Sequence, residues 1–276
     1  MAILERFSLG DLDAIRVGRA NRGITLSFII YRCDNTLIDF GPANQWQHVK
    51  PFIEEKTLDQ LLLTHHHEDH SGNAHNIAKT TGLTPYTSSS LAHKMSEGIK
   101  VPYYRRIAWG SYKPTPFRTL PEHPLQLSNG DTIEALFTPG HTAEMHCFHL
   151  ADRGWLFSAD LYIANKISLM TAGEDVSLMI DSLQRCIELD FDTMFCAHRG
   201  IVNEGKSALI AKRNYLTELA EQCSSLWQQG HNSEHITLKL LGKEGMLKRV
   251  SNGKYCKHNL IKSCLKHHQL NPNERP

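Results

Sequence analysis

The segment His65-His66-His67-Glu68-Asp69-His70 packs imidazoles and carboxylates into six residues and reads H-x-H-x-D-H. In an extended chain, residues two apart point to the same side, so His65 and His67 can converge on one ion. Asp69 and His70 follow directly and can serve a second ion. Imidazole nitrogen and carboxylate oxygen suit zinc, with no thiolate required. Three distant residues carry the same chemistry. His141 could complete a three-histidine site for the first ion, His198 could complete the second, and Asp160 could bridge both. That donor set leaves a position for water. Two ions about 3.5–4 Å apart would share a hydroxide whose parent water ionises near neutral pH instead of at about 15.7. Asp69 would orient this nucleophile and carry its proton. Each ligating histidine also needs an acceptor to fix its tautomer, and Asp39 is a candidate. Solvated loop histidines are the plain alternative for the cluster by itself; the three distant partners weigh against it.

These residues need elements to hold them, and the pattern supplies strands. Residues 24–31 and 36–40 are β-branched and aromatic around Cys33-Asp34-Asn35, which predicts a hairpin. Gly41-Pro42 stops it, 43–55 reads as helix, and Leu58 to Leu63 as a short buried strand. The histidine cluster then follows a strand end, a usual place for chemistry in α/β folds. Strands are expected at 131–137, 145–150, 155–158 and 193–196, and helices at 71–80, 175–189, 206–229, 234–241 and 254–268. Residues 269–276, with two prolines, read as a frayed tail. His141, Asp160 and His198 each come just after one of these strands.

The chain has 276 residues, 41% of them hydrophobic, which allows one large α/β domain with a small appendix. Net charge is +1, so the molecule as a whole makes no electrostatic claim on nucleic acid or membrane. The N-terminus lacks the apolar run of a secretory signal, and no stretch approaches the roughly eighteen apolar residues of a membrane span. Seven scattered cysteines read as packed, reduced thiols, and a cytoplasmic protein is expected.

The motifs resemble those of the metallo-β-lactamase superfamily of dinuclear hydrolases. The resemblance rests on Thr64-His65-His66-His67-Glu68-Asp69-His70-Ser71-Gly72-Asn73, Thr138-Pro139-Gly140-His141-Thr142, Phe157-Ser158-Ala159-Asp160 and Cys196-Ala197-His198-Arg199-Gly200, in that order. Asp39, in Leu37-Ile38-Asp39-Phe40-Gly41, matches the family's early aspartate. The resemblance implies an α/β fold, an αββα sandwich with the site at one edge. It leaves a catalytic domain over 1–205 and a C-terminal helical extension over 206–276. It also implies two divalent ions, zinc first, with Mn2+ or Fe2+ as alternatives. Two departures stand out: Ala159 replaces the usual glycine before the bridging aspartate, and Arg199 follows the last histidine.

A fold hosts many reactions, so the substrate has to be narrowed by other features. Asp160 is a bridging carboxylate that the drug-degrading β-lactamases lack. The span from Asp160 to His198 is too short for the inserted domain of the family's mRNA-processing nucleases. His67 stands where diiron flavoproteins carry Glu. Tyr162 lies near the tyrosine of the acyl-homoserine lactonases, at a different offset. What remains resembles glyoxalase II and related thioester or lactone hydrolases, acting on a small molecule. The alternative resembles the small endoribonucleases, acting on RNA or a phosphate ester. A non-catalytic binding module is a third class, disfavoured by the complete donor set.

Two basic stretches bear on nucleic acid. Residues 99–118 hold Lys100, Arg105, Arg106, Lys113 and Arg118 with no acid, among Tyr103, Tyr104, Trp109, Tyr112 and Phe117. Such a mix can stack bases or hold phosphates, but an aromatic-anchored loop with its charges in water is the favoured reading. Residues 239–268 carry eight Lys or Arg against Glu244, and a solvated helical surface is again favoured. No membrane partner and no particular oligomeric state is implied.

Overall fold

The structure is a computed structural model that describes residues 5–18 and 26–270. Its contacts divide the chain into two units. The first takes in the chain up to Phe137, Glu144–Ile163 and Phe191–Asn203; the second takes in Thr138–Ala143, Ala164–Asp190 and the chain from Glu204 onward.

The first unit holds two sheets. One runs in chain order through β1 (Glu5–Leu9), β2 (Leu12–Gly18), β3 (Ser27–Cys33), β4 (Thr36–Ile38), β5 (Gln60–Leu62), β6 (Tyr86–Thr87) and β7 (Arg118–Thr119). Its first four strands pair antiparallel and the rest parallel. Parallel neighbours need crossovers, and helices supply them. Helix α1 (Trp46–Glu54) links β4 to β5; α2 (Glu68–Ser71) and α3 (Ala74–Thr81) link β5 to β6; α4 (Ser89–Glu97) and α5 (Tyr103–Trp109) link β6 to β7. The other sheet contains β8 (Leu125–Gln126), β9 (Thr132–Phe137), β10 (His146–Leu150) and β11 (Trp155–Ala159). After β12 (Met170–Thr171), which belongs to the second unit, β13 (Thr193–Cys196) and β14 (Gly200–Val202) complete it.

Strand periodicity decides where the cores lie. Phe28 and Ile30 of β3 face the helices, packing with Ile15, Val17, Leu61, Val49, Phe52 and Ile77. Ile29 and Tyr31 point the other way, joining Leu12, Ala14, Leu62, Phe148, Phe157 and Phe195 between the two sheets. Because both faces of β3 are covered, all seven of its residues are buried, Ser27 and Arg32 included, and its sequence shows no alternation.

The second unit is helical. α6 (Val176–Ile187) starts at Asp175, whose carboxylate accepts from Ser177 N and Leu178 N. α7 (Gly205–Gln228), α8 (Ser233–Leu241), α9 (Met246–Val250), β15 (Tyr255–Cys256) and α10 (Lys257–Leu270) follow, and β15 pairs antiparallel with β12. Leu260, Ile261 and Cys264 of α10 are buried, as are Leu209, Leu216, Ala220 and Cys223 of α7, and the two helices pack together.

The elements expected from periodicity are present, with shifted ends. Ile24 and Thr25 of the expected hairpin lie outside the described residues, as do 271–276 of the expected tail; α10 runs to Leu270. All seven cysteines are buried. Among the described residues, no helix is long and apolar enough to cross a membrane.

Candidate metal centre

β5 ends at Leu62, and the chain leaves it extended before entering α2 at Glu68. Asp39 leaves β4 with φ 59°, a left-handed conformation that aspartate tolerates better than most residues. Its carboxylate accepts from Thr64 N at 2.9 Å and from Thr64 Oγ1 at 3.0 Å, and it faces His70 Nδ1 at 2.7 Å. Asn73 clamps the same corner, its side-chain nitrogen donating to the carbonyls of Phe40, Gly41 and Pro42. Gly72 is required there, because a Cβ would meet Ala43 N at 2.3 Å and Glu68 O at 2.6 Å.

These bonds fix the ring nitrogens. Asp39 is an acceptor, so His70 Nδ1 carries the proton and Nε2 turns its lone pair toward the site. The Thr64 hydroxyl donates its single hydrogen to Asp39 and so accepts from His65 Nδ1, 3.0 Å away. His198 Nδ1 donates to the Ser27 carbonyl at 2.8 Å. In each case the other nitrogen, Nε2, is left as a ligand. His65 Nε2 and His67 Nδ1 converge at 3.1 Å.

The first unit thus brings together two sets of donors. His65, His67 and Asp160 each offer a ligand atom within 4.8 Å of the others, and so do Asp69, His70 and His198. Asp160 joins the sets: its Oδ1 lies 3.3 Å from both His70 Nε2 and His198 Nε2. His141 belongs to the second unit, where its Nδ1 lies 3.1 Å from Glu174 Oε2. Ala159, just before Asp160, has φ 45°, which costs a residue with a Cβ about 1–2 kcal/mol. The glycine usual at this place in the family would avoid that strain. Tyr162 is buried.

The donor set suits a divalent cation, and buried His70 Nε2 has no hydrogen-bond partner among the described residues. Electrostatics agree. Burial disfavours a charged His70, yet the Asp39 and Asp160 carboxylates carry its pKa well above the ordinary histidine value. Burial is likewise overcome at His198 by Asp160 and Asp69. Asp160, against its own burial, is held well below the usual carboxylate range by His198 and His70. The pocket demands positive charge, which a metal could supply in place of protons.

Sequence reading missed several supporting groups. The Ser27 carbonyl carries no side-chain signal, and Glu174 stands at no diagnostic spacing. Arg105 of α5 belongs to a stretch whose pattern favours charges in water. Instead its Nε donates to Glu68 Oε2, and its Nη2 lies 3.5 Å from Asp69 Oδ1. Trp109 and Tyr112 of the same stretch are buried, while Tyr103 and Ile107 are exposed.

A family model described as "Metallo-beta-lactamase superfamily" matches residues 20–198, more than half of the chain. The chain belongs to the metallo-beta-lactamase superfamily. Its α/β fold with C-terminal helices is the fold of that superfamily. It is 29% identical over 181 residues to a hydroxyacylglutathione hydrolase of Shewanella baltica, covering 65% of this chain and 59% of that one. A hydroxyacylglutathione hydrolase of Cereibacter sphaeroides is 28% identical over 147 residues, covering 51% of this chain and 48% of that protein. The chain therefore spans about half of these curated relatives' length. Among solved structures, a beta-lactamase domain protein from Burkholderia ambifaria superposes with TM-score 0.75 at 14% identity, covering 98% of this chain and 89% of that one. A metallo-beta-lactamase family protein from Thermus thermophilus gives TM-score 0.66 at 16% identity, covering 96% and 94%. At such identities the likeness concerns the fold alone.

Proposed function

We propose that the chain is a metal-dependent hydrolase that holds two divalent ions, zinc first, and cleaves a small ester, thioester or lactone. The observation that carries this reading is the pair of donor sets joined through Asp160, with the ring nitrogens of His65, His70 and His198 already committed to outward acceptors. His65, His67 and Asp160 would hold the first ion, with His141 as its further imidazole; Asp69, His70, His198 and Asp160 would hold the second. When bound, such ions supply Lewis acidity and activate water near neutral pH. The remaining work falls to the chain. Asp39 and Ser27 keep His70 and His198 in the ligating tautomer. Glu174 does the same for His141. Asp69, whose Oδ2 faces His198 Nε2 at 3.6 Å, would orient the attacking water and take the proton that water gives up.

The relatives named for hydroxyacylglutathione hydrolysis support a thioester first. The test is a panel of a hydroxyacylglutathione thioester, a lactone, a phosphodiester and single-stranded RNA, assayed with zinc- and manganese-loaded protein. Turnover of the thioester or lactone is expected. Turnover confined to phosphodiester or RNA would replace this reading with the nuclease one. His67→Ala should abolish turnover and lower metal content while the chain stays folded; surviving activity would remove the first ion's assignment.

A further inference from the structure

Glu68 and Asp69 are consecutive acids in the first turn of α2, and both side chains are buried. Two buried carboxylates side by side repel each other, and a cation placed between them offsets that repulsion. Only one faces the candidate centre. Asp69 turns Oδ2 toward His198 Nε2 at 3.6 Å and Oδ1 toward Arg105 Nη2 at 3.5 Å. Glu68 is taken by the same guanidinium through Nε. Arg105 arrives from α5, 36 residues further along the chain, with 18% of its side chain exposed. It is held charged: burial works against it, and the two carboxylates more than offset this.

We infer that Arg105 is a positioning residue: Glu68 anchors its planar fork, and the anchored fork turns Asp69 so that one oxygen of that carboxylate faces the histidines. Arginine suits this role because its several donors lie in one rigid plane and can serve two acids at fixed angles, which a lysine ammonium cannot. The inference rests on the metal reading above and goes beyond it, since it assigns a function to the basic aromatic stretch. It predicts that Arg105 acts on the centre through Asp69 and through no other group.

The test is a double-mutant cycle read by cobalt titration of the metal-free protein, following the visible spectrum through two equivalents. Wild type, Arg105→Ala, Asp69→Asn and the double variant are compared. Arg105→Ala should perturb the spectrum of one equivalent and shift its apparent affinity at least fivefold, as Asp69→Asn does. The double variant should match Asp69→Asn within twofold. Arg105→Lys should fall between wild type and Arg105→Ala, and Glu68→Gln, which keeps the shape but frees the guanidinium, should perturb the same equivalent. These two variants carry the test if Arg105→Ala does not fold. A titration of Arg105→Lys and Glu68→Gln superimposable on wild type, or additive effects in the cycle, would overturn the inference. Failure of wild type to bind cobalt would instead overturn the metal reading itself.

Discussion

Residues 99–118 and 239–268 look alike on paper, each crowded with lysine and arginine and nearly free of acid. In the folded chain they differ. The first stretch buries Trp109 and Tyr112 and sends Arg105 onto two buried carboxylates. In the second, Leu260, Ile261 and Cys264 of α10 are buried while Met246 and Val250 of α9 stand 78% and 58% exposed. Two of its cations form ion pairs, Lys248 with Glu244 and Lys266 with Asp175, and Lys257 donates to the Leu241 carbonyl. Charge density along a chain therefore says little about use. What matters is whether a buried acid awaits the cation elsewhere in the fold.

Arg105 is the residue on which the difference between the two stretches turns. Arg105→Ala leaves Glu68 buried and unpaired and should cost about 3 kcal/mol, read as a lower urea midpoint of the metal-free protein. A loss below about 0.5 kcal/mol would return the stretch to the class of solvated surfaces. Trp109→Ala tests the aromatic anchor of the same stretch. It removes a largely buried indole and should cost about 3 kcal/mol or somewhat less if the loop collapses onto the space, measured the same way.

Arg32 of the first unit also serves a carboxylate, from a fully buried position. It donates to Asp13 Oδ2 at 2.8 Å, and Asp13 also accepts from Lys56 and Ser8. Burial alone would raise the Asp13 pKa, but these partners hold it well below the usual carboxylate range. The depressed carboxyl stabilises the fold above its unfolded pKa of about 3.9, and that contribution fades as pH falls through the folded value. Asp13→Asn should lower the urea midpoint at pH 7, and the gap to wild type should close as pH drops below about 4. A gap that stays constant would exclude the ion pair as its source.

The smallest effect belongs to the other stretch. Lys248→Ala with Arg249→Ala should change stability by less than about 0.5 kcal/mol and leave turnover of the panel substrates unaltered. Salt-sensitive RNA binding that disappears in this variant would reverse the contrast between the two stretches.

Legibility followed the same division. The hairpin of β3 and β4, the strand before the histidine cluster, and α6 and α7 could be read from periodicity and turn residues. The seven candidate ligands and Asp39 stand out in the sequence as well, because few residue types supply the atoms that a metal ion takes. The short strands β6, β7 and β8, of two residues each, could not be read, since so few positions show no period. Helix α5 was hidden for a related reason: its seven residues bury Trp109 alone, which leaves no apolar stripe.

By itself the sequence determined which residues are candidates to hold a metal, their order and the strands that end beside them, since residue type and local period are written along the chain. Tertiary structure alone decided which nitrogen of each ring is committed, which oxygen of Asp69 faces the histidines, and that Arg105 stands behind it. The physical reason is distance along the chain. His198 is oriented by a backbone carbonyl 171 residues away and Asp69 by a guanidinium 36 residues away. A backbone carbonyl has no residue identity to read, and a cation has no visible partner until the chain folds.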